Sequence, residues 1–282
     1  MWNFRIEQED LETVDRVLKR RVLTALVLAP IAIGGVFVLS YPVFALVFGG
    51  IMSAAMYEWA GLLGAKFTPY KLYFLAIFML GCAGIYVAPS IHLGLLTVGL
   101  ACWAVAVATL FLYRRGFNPF RTLTVLALTG LVLGWSAWLA ICLIHSRPDG
   151  HWWIMWIFGI VWGADIGAYF AGKAFGTHKL APGISPGKTW EGVMGGMLLA
   201  GTVCGIGAWI WQGAWWFAIT LLLIALSVLG DLFESFVKRQ TGTKDSGSLL
   251  PGHGGILDRI DSILIVLPVG AVFLDQFRPG SF

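Results

Sequence analysis

The sequence predicts an all-α, polytopic integral membrane protein of about nine transmembrane helices, with a cytoplasmic N-terminus and a C-terminus outside. Three observations carry that prediction. Hydrophobic residues make up 58% of the chain and charged residues 12%, with a mean hydropathy of +0.81; a soluble domain holds about 45–50% apolar residues. Uncharged stretches long enough to cross a bilayer, about 20 residues each, recur along the chain, and residues 72–113 and 192–230 carry no Asp, Glu, Lys or Arg. The basic residues collect in alternate loops, as the cytoplasmic bias of Lys and Arg requires. The surroundings are membrane lipid, and no nucleic-acid partner is expected.

Residues 1–21 form a charged tail with five acids and five bases, unlike a cleavable signal peptide. Trp2, Phe4, Ile6, Leu11, Val14, Val17 and Leu18 could line one face of an interfacial helix; a solvated tail fits equally. The expected spans are 22–40, 42–63, 69–87, 93–113 and 122–145, then 151–172, 192–211, 214–235 and 256–275. Hairpins are expected at Pro89-Ser90-Ile91-His92 and at Gln212-Gly213. Trp209, Trp211, Trp215 and Trp216 flank the second and suit an interfacial belt. With the N-terminus inside, only Arg147 and Arg278 of the 19 basic residues fall on the outer side. The four cysteines lie singly within spans, so buried packing is expected rather than a metal site or disulfide.

Chemistry concentrates in the second half. Region 22–146 holds one acid, Glu58, and reads as scaffold, lipid-facing surface or oligomer interface. Region 151–275, with loops 173–191 and 235–261, holds Asp165, Asp231, Asp258 and Asp261 in or near spans. A charge deep in a helix costs about 2.5–3.5 kcal/mol on insertion scales, so such groups face a polar interior. These four should converge on one cavity open to the cytoplasm. Glu234, nearer the interface, also suits a solvated helix end.

Loop 235–261 reads SFVKRQTGTKDSGSLLPGHGGILDRID. Lys238, Arg239, Lys244 and Arg259 suit polyanions. Gly252, Gly254 and Gly255 let backbone N–H groups approach phosphate closely, and His253 between them suits a phosphate contact. Asp258 and Asp261, three apart, share one helix face and could hold a divalent cation. In loop 173–191, Gly187-Lys188-Thr189 invites a phosphate-loop reading, but Pro182 occupies the required glycine position of G-x4-G-K-S/T, and no preceding strand is expected. What remains is a rigid turn at Ser185-Pro186-Gly187 and a helix start near Thr189, whose N–H groups, with Lys188, can bind an anion.

The run from Ser235 to Asp261 closely resembles the signature of the phosphatidate cytidylyltransferase (CDP-diacylglycerol synthase) family. S-P-G-K-T-W-E-G at 185–192 resembles a second motif of that family, in the expected order. The resemblance implies transfer of CMP from CTP to phosphatidate, giving CDP-diacylglycerol and pyrophosphate, at a site facing the cytoplasm in the inner membrane. It implies Mg²⁺ or another divalent cation on Asp231, Asp258 and Asp261, and a role for Lys244 at the reacting centre. Ser185, Lys188, Thr189, Lys238, Arg239, Gly252, His253, Gly254, Gly255, Arg259 and Asp165 are then expected to bind substrate. A homodimer is compatible with this reading. Related alternatives are a CTP-dependent polyprenol kinase and a cytidylyltransferase for ether isoprenoid lipids. A transporter would need acids near the bilayer midplane with access from both sides, whereas these cluster toward one side.

Overall fold

A computed structural model describes residues 29–64, 68–243, 245–247, 249 and 254–277. It is built from helices α1 (Ala29–Val38), α2 (Tyr41–Leu62), α3 (Thr68–Val87), α4 (His92–Leu112), α5 (Leu123–His145) and α6 (Gly150–Phe175). A short hairpin, β1 (Lys179–Ala181) and β2 (Ser185–Thr189), leads into α7 (Trp190–Ala200), a π-helical turn (Gly201–Gly205), α8 (Ile206–Gln212), α9 (Ala214–Gln240) and α10 (Leu257–Phe277). Among the described residues, seven helical stretches are long and apolar enough to cross a membrane: α2, α3, α4, α5, α6, α7 with α8, and α9. The protein is therefore a helical integral membrane protein.

Three expectations need correcting. Ser185-Pro186-Gly187 is not a turn but the start of β2, paired antiparallel with β1 (Lys179 opposite Thr189, Ala181 opposite Ser185). The chain reverses at Pro182-Gly183 instead, where the Ile184 N–H donates to the Ala181 carbonyl at 3.0 Å. Helix α9 runs to Gln240 rather than ending at 235, so Lys238 and Arg239 stand on a helix, not in a loop. Of the tryptophans assigned to the belt, Trp216 is buried, with its ring 4.4 Å from that of Trp153.

Helix α5 is the central post and contacts α2, α3, α4, α6 and α10. Its neighbours are tied by indole N–H groups, which need an acceptor where water is absent. Trp59 of α2 donates to the Leu126 carbonyl of α5 at 3.1 Å, and Trp138 of α5 donates to Ala45 of α2 at 3.0 Å. Trp135 reaches Phe78 of α3 at 2.9 Å. A fourth tie has a specific cause. Pro268, inside α10, lacks the N–H that would bond the carbonyl four residues earlier. That carbonyl, of Leu264, accepts from Trp103 of α4 at 3.1 Å.

Helices α6 and α7 meet differently, through small residues that let backbones touch. A Cβ on Gly196 would lie 2.7 Å from the Ala164 carbonyl, and one on Gly163 would lie 3.2 Å from the Ala200 Cβ. The crossing sets Gly172 of α6 beside Thr189 and Gly192 at the start of α7. Helix α9 approaches α10 at Gly230, where a Cβ would sit 3.0 Å from the Asp261 carbonyl. Ser262 Oγ also donates to the Ser227 carbonyl at 3.0 Å. Asp231 and Asp261 are neighbours because of that contact.

Candidate active site

The cavity lies where α6, β2, α7 and α9 meet. It encloses about 400 Å³ and is lined by Asp165, Tyr169 and Lys173 of α6, Lys188 and Thr189 of β2, and Asp231 of α9, among others. Thr189 caps α7, its Oγ accepting the Gly192 N–H at 3.1 Å. That bond aims the first turn of α7 and the end of β2 at the cavity. Arg239 Nε donates to the Ile184 carbonyl at 3.2 Å and holds the hairpin against α9.

Lys188 crosses from the hairpin to α9, where its Nζ lies 2.6 Å from Asp231 Oδ2. Near Asp231, but not lining the cavity, stand Glu234 and Asp261, which are 2% and 8% exposed. One carboxylate oxygen from each of Asp231, Glu234 and Asp261 can be chosen so that all three lie within 4.8 Å of one another. Asp261 Oδ1 also accepts the Ser262 N–H at 2.6 Å. Sequence spacing puts Asp258 in this set and leaves Glu234 open between a site role and a solvated helix end. Asp258 instead pairs with Lys238, at 2.7 Å, and accepts the Gly255 N–H at 2.9 Å. Lys238 is shared, also pairing with Glu234 four residues earlier on α9. Spacing could have found Glu234, since positions 231 and 234 share a helix face.

Ser185 opens β2 opposite Ala181, at the end of the strand away from Thr189, and does not line the cavity; Asp165 lies within electrostatic reach of Asp231, Lys188 and Arg259. Gly254 adopts φ +78°, a left-handed conformation that favours glycine, and precedes Gly255. Lys244, Gly252 and His253 lie outside the described residues. Four carboxylates thus gather at this end of α9 and α10, with Lys188 and Lys238 as their ion-pair partners. Hard oxygen donors in a partly buried, acid-rich setting fit a divalent cation, which keeps water and phosphate oxygens among its remaining ligands. Asp231, Glu234 and Asp261 would hold it.

A helical membrane protein whose cavity joins Lys188, a capped helix start and a cluster of carboxylates is equipped to handle phosphates. The chain belongs to the Cytidylyltransferase family, whose pattern it matches over residues 19–277. It is 40% identical to the phosphatidate cytidylyltransferase of Pseudomonas aeruginosa, over 92% of this chain and 97% of that protein. The Haemophilus influenzae protein of the same name is 34% identical over 91% of this chain and 98% of its own length. The Brucella suis one is 35% identical over 94% and 97%.

Proposed function

We propose that this chain is a phosphatidate cytidylyltransferase, taking CTP and phosphatidate to CDP-diacylglycerol and pyrophosphate in phospholipid synthesis. The observation that carries the reading is the Lys188–Asp231 contact. It ties the 185–192 motif to α9, the helix whose last turns begin the 235–261 motif, beside a cavity that a single CTP could occupy. The names of relatives that match nearly end to end support it.

In the reaction, a phosphatidate phosphate oxygen forms a bond to the α-phosphorus of CTP. The bond from that phosphorus to the bridging oxygen breaks, and its electron pair leaves on pyrophosphate. A phosphate monoester has a second pKa of about 6, so the nucleophile is largely ionised at neutral pH and needs no strong base. The obstacle is repulsion between two anions, and the chain's cations answer it. Lys188, with Thr189 and the start of α7, binds the phosphate chain of CTP. Lys238 holds Asp258 and Glu234 in place. Arg239 fixes the hairpin, and Arg259 faces the lipid phosphate. Lys244, Gly252, His253 and Gly254 are assigned to the lipid phosphate on their sequence alone, whereas Gly255 is buried with its N–H donated to Asp258 and is not free for a phosphate. Mg²⁺ on Asp231, Glu234 and Asp261 would supply charge neutralisation and alignment when bound.

The topology proposed with this function has nine crossings, counting α1 and α10, with the N-terminus and the site on the cytoplasmic side of the inner membrane. Tails of the lipid substrate stay in the bilayer while CTP enters from water. Purified protein given labelled CTP, phosphatidate and Mg²⁺ should yield labelled CDP-diacylglycerol. Turnover only when a polyprenol replaces phosphatidate would overturn the assignment.

A further inference from the structure

Glu58 is 3% exposed on α2, in the half of the molecule that otherwise reads as scaffold. Its Oε2 accepts the N–H of Leu257, 199 residues away, at 2.9 Å. Leu257 is the first residue of α10, and the opening N–H groups of a helix have no partner within it. The same Oε2 accepts Ser246 Oγ at 3.5 Å. A Cβ at Gly247 or at Gly255 would collide with the Glu58 carboxylate. Both ends of segment 246–257 therefore close on one side chain. Among the described residues, Oε1 has no hydrogen-bond partner.

A buried carboxylate in a membrane protein is costly, and Ser, Thr or Asn would cap a helix without that cost. The charge is matched here by the positive end of α10, which favours an anion and strengthens the bond to Leu257. Asp258 accepts the Gly255 N–H from the same first turn, so two carboxylates set where α10 begins. Asp261 follows one turn later, with a carboxylate oxygen within 4.8 Å of those of Asp231 and Glu234 on α9.

We infer that Glu58 is a positioning residue for the reaction proposed above, fixing the start of α10 and thereby the placement of Asp258 and Asp261. It touches no substrate and acts through the backbone N–H of Leu257 and its contacts with Ser246, Gly247 and Gly255. The inference rests on the cytidylyltransferase reading for its kinetic part and on geometry alone for its structural part.

The test uses the full chain in detergent, with Glu58→Ala and Glu58→Gln. Steady-state turnover of labelled CTP with phosphatidate is measured beside hydrogen–deuterium exchange. Misplacement of a reacting group by about 1 Å can cost about 10²-fold in rate, so Glu58→Ala should lower kcat by about that factor. KM for CTP should stay within about threefold, because the nucleotide contacts are untouched. Exchange should quicken in 245–262 and stay unchanged in α5 and α6. Glu58→Gln keeps one carbonyl oxygen for the Leu257 N–H and should recover about tenfold of the loss. If Glu58→Ala does not fold, Gly247→Ala, which crowds the carboxylate from the loop side, should give the same kinetic split and the same local exchange. The inference fails if the folded variant keeps wild-type kcat, if exchange quickens across the scaffold, or if Gln rescues nothing. A wild-type protein that makes no CDP-diacylglycerol sinks the parent reading instead, while the exchange result still decides whether Glu58 holds the segment.

Discussion

Helices α2–α5 and helices α6–α10 solve the same problem, packing helices in lipid, by opposite means. In the first group large side chains bridge helices, with indole N–H groups of Trp59, Trp135 and Trp138 donating to carbonyls of neighbours. In the second, side chains are removed, and Gly163, Gly196 and Gly230 let backbones meet. The difference follows from what each half must hold. Indole bridges give fixed spacing without polar side chains in the gap. Close backbone contact at Gly230 brings carboxylates of α9 and α10 within coordinating distance of one another. Tight crossing of α6 and α7 leaves the cavity at their end.

Substitutions can break that comparison, beginning where the effect is largest. Asp261→Asn keeps the side chain's size but removes its charge and weakens a ligand. Turnover should drop about 10³-fold, a few kcal/mol of transition-state stabilisation, with the melting midpoint preserved. Full turnover in this variant, or in chelator-treated wild type, would remove the metal from the account. Gly230→Ala should cost about 1–3 kcal/mol of stability through overpacking and lower kcat together with it, because it parts Asp231 from Asp261. A melting curve and a turnover assay on one preparation would show whether the two losses travel together.

Lys188→Ala should raise KM for CTP about 10- to 100-fold, more than it raises that for phosphatidate, since one charge-assisted phosphate contact is worth about 1.5–3 kcal/mol. An effect confined to the phosphatidate KM would reverse the assignment of that lysine. Trp103→Phe sharpens the comparison from the scaffold side. It removes the donor for the carbonyl that Pro268 leaves open, and should cost about 1 kcal/mol of stability while kcat stays near wild type. A kcat loss as large as that of Gly230→Ala would mean that the scaffold ties are not separable from the chemistry. In a background lacking the native cysteines, single cysteines at Arg115 and Lys188 should label from the cytoplasmic side and one at Arg147 from the other.

Much of this was legible in the chain, because the bilayer demands long apolar helices and charged residues stand out against them. Asp165, Lys188 and Asp231 could be placed near one another on those grounds, and the structure sets all three on the cavity. What could not be read depends on partners distant in sequence. Glu58 looked like scaffold because its partner, Leu257, lies 199 residues on. The hairpin was hidden because S-P-G-K-T suits a turn as readily as an edge strand, where a proline is tolerated. Helix α9 runs past the first charged residues after its apolar run, where the sequence suggests an end. Lys238 there pairs with Glu234 one turn before and with Asp258 of α10, so the helix continues through charge rather than stopping at it.

Helices α9 and α10 supply the proposed cation site, with Lys188 of β2 beside it. Fe²⁺ substituted for Mg²⁺, with ascorbate and peroxide, cuts a polypeptide beside the bound metal, and the fragments can be mapped by mass spectrometry. Cuts should group near 185–192, 228–235 and 258–262, be suppressed by excess Mg²⁺ and be lost in Asp261→Asn. Cuts confined to other helices, or an unchanged pattern in Asp261→Asn, would contradict that placement of the cation.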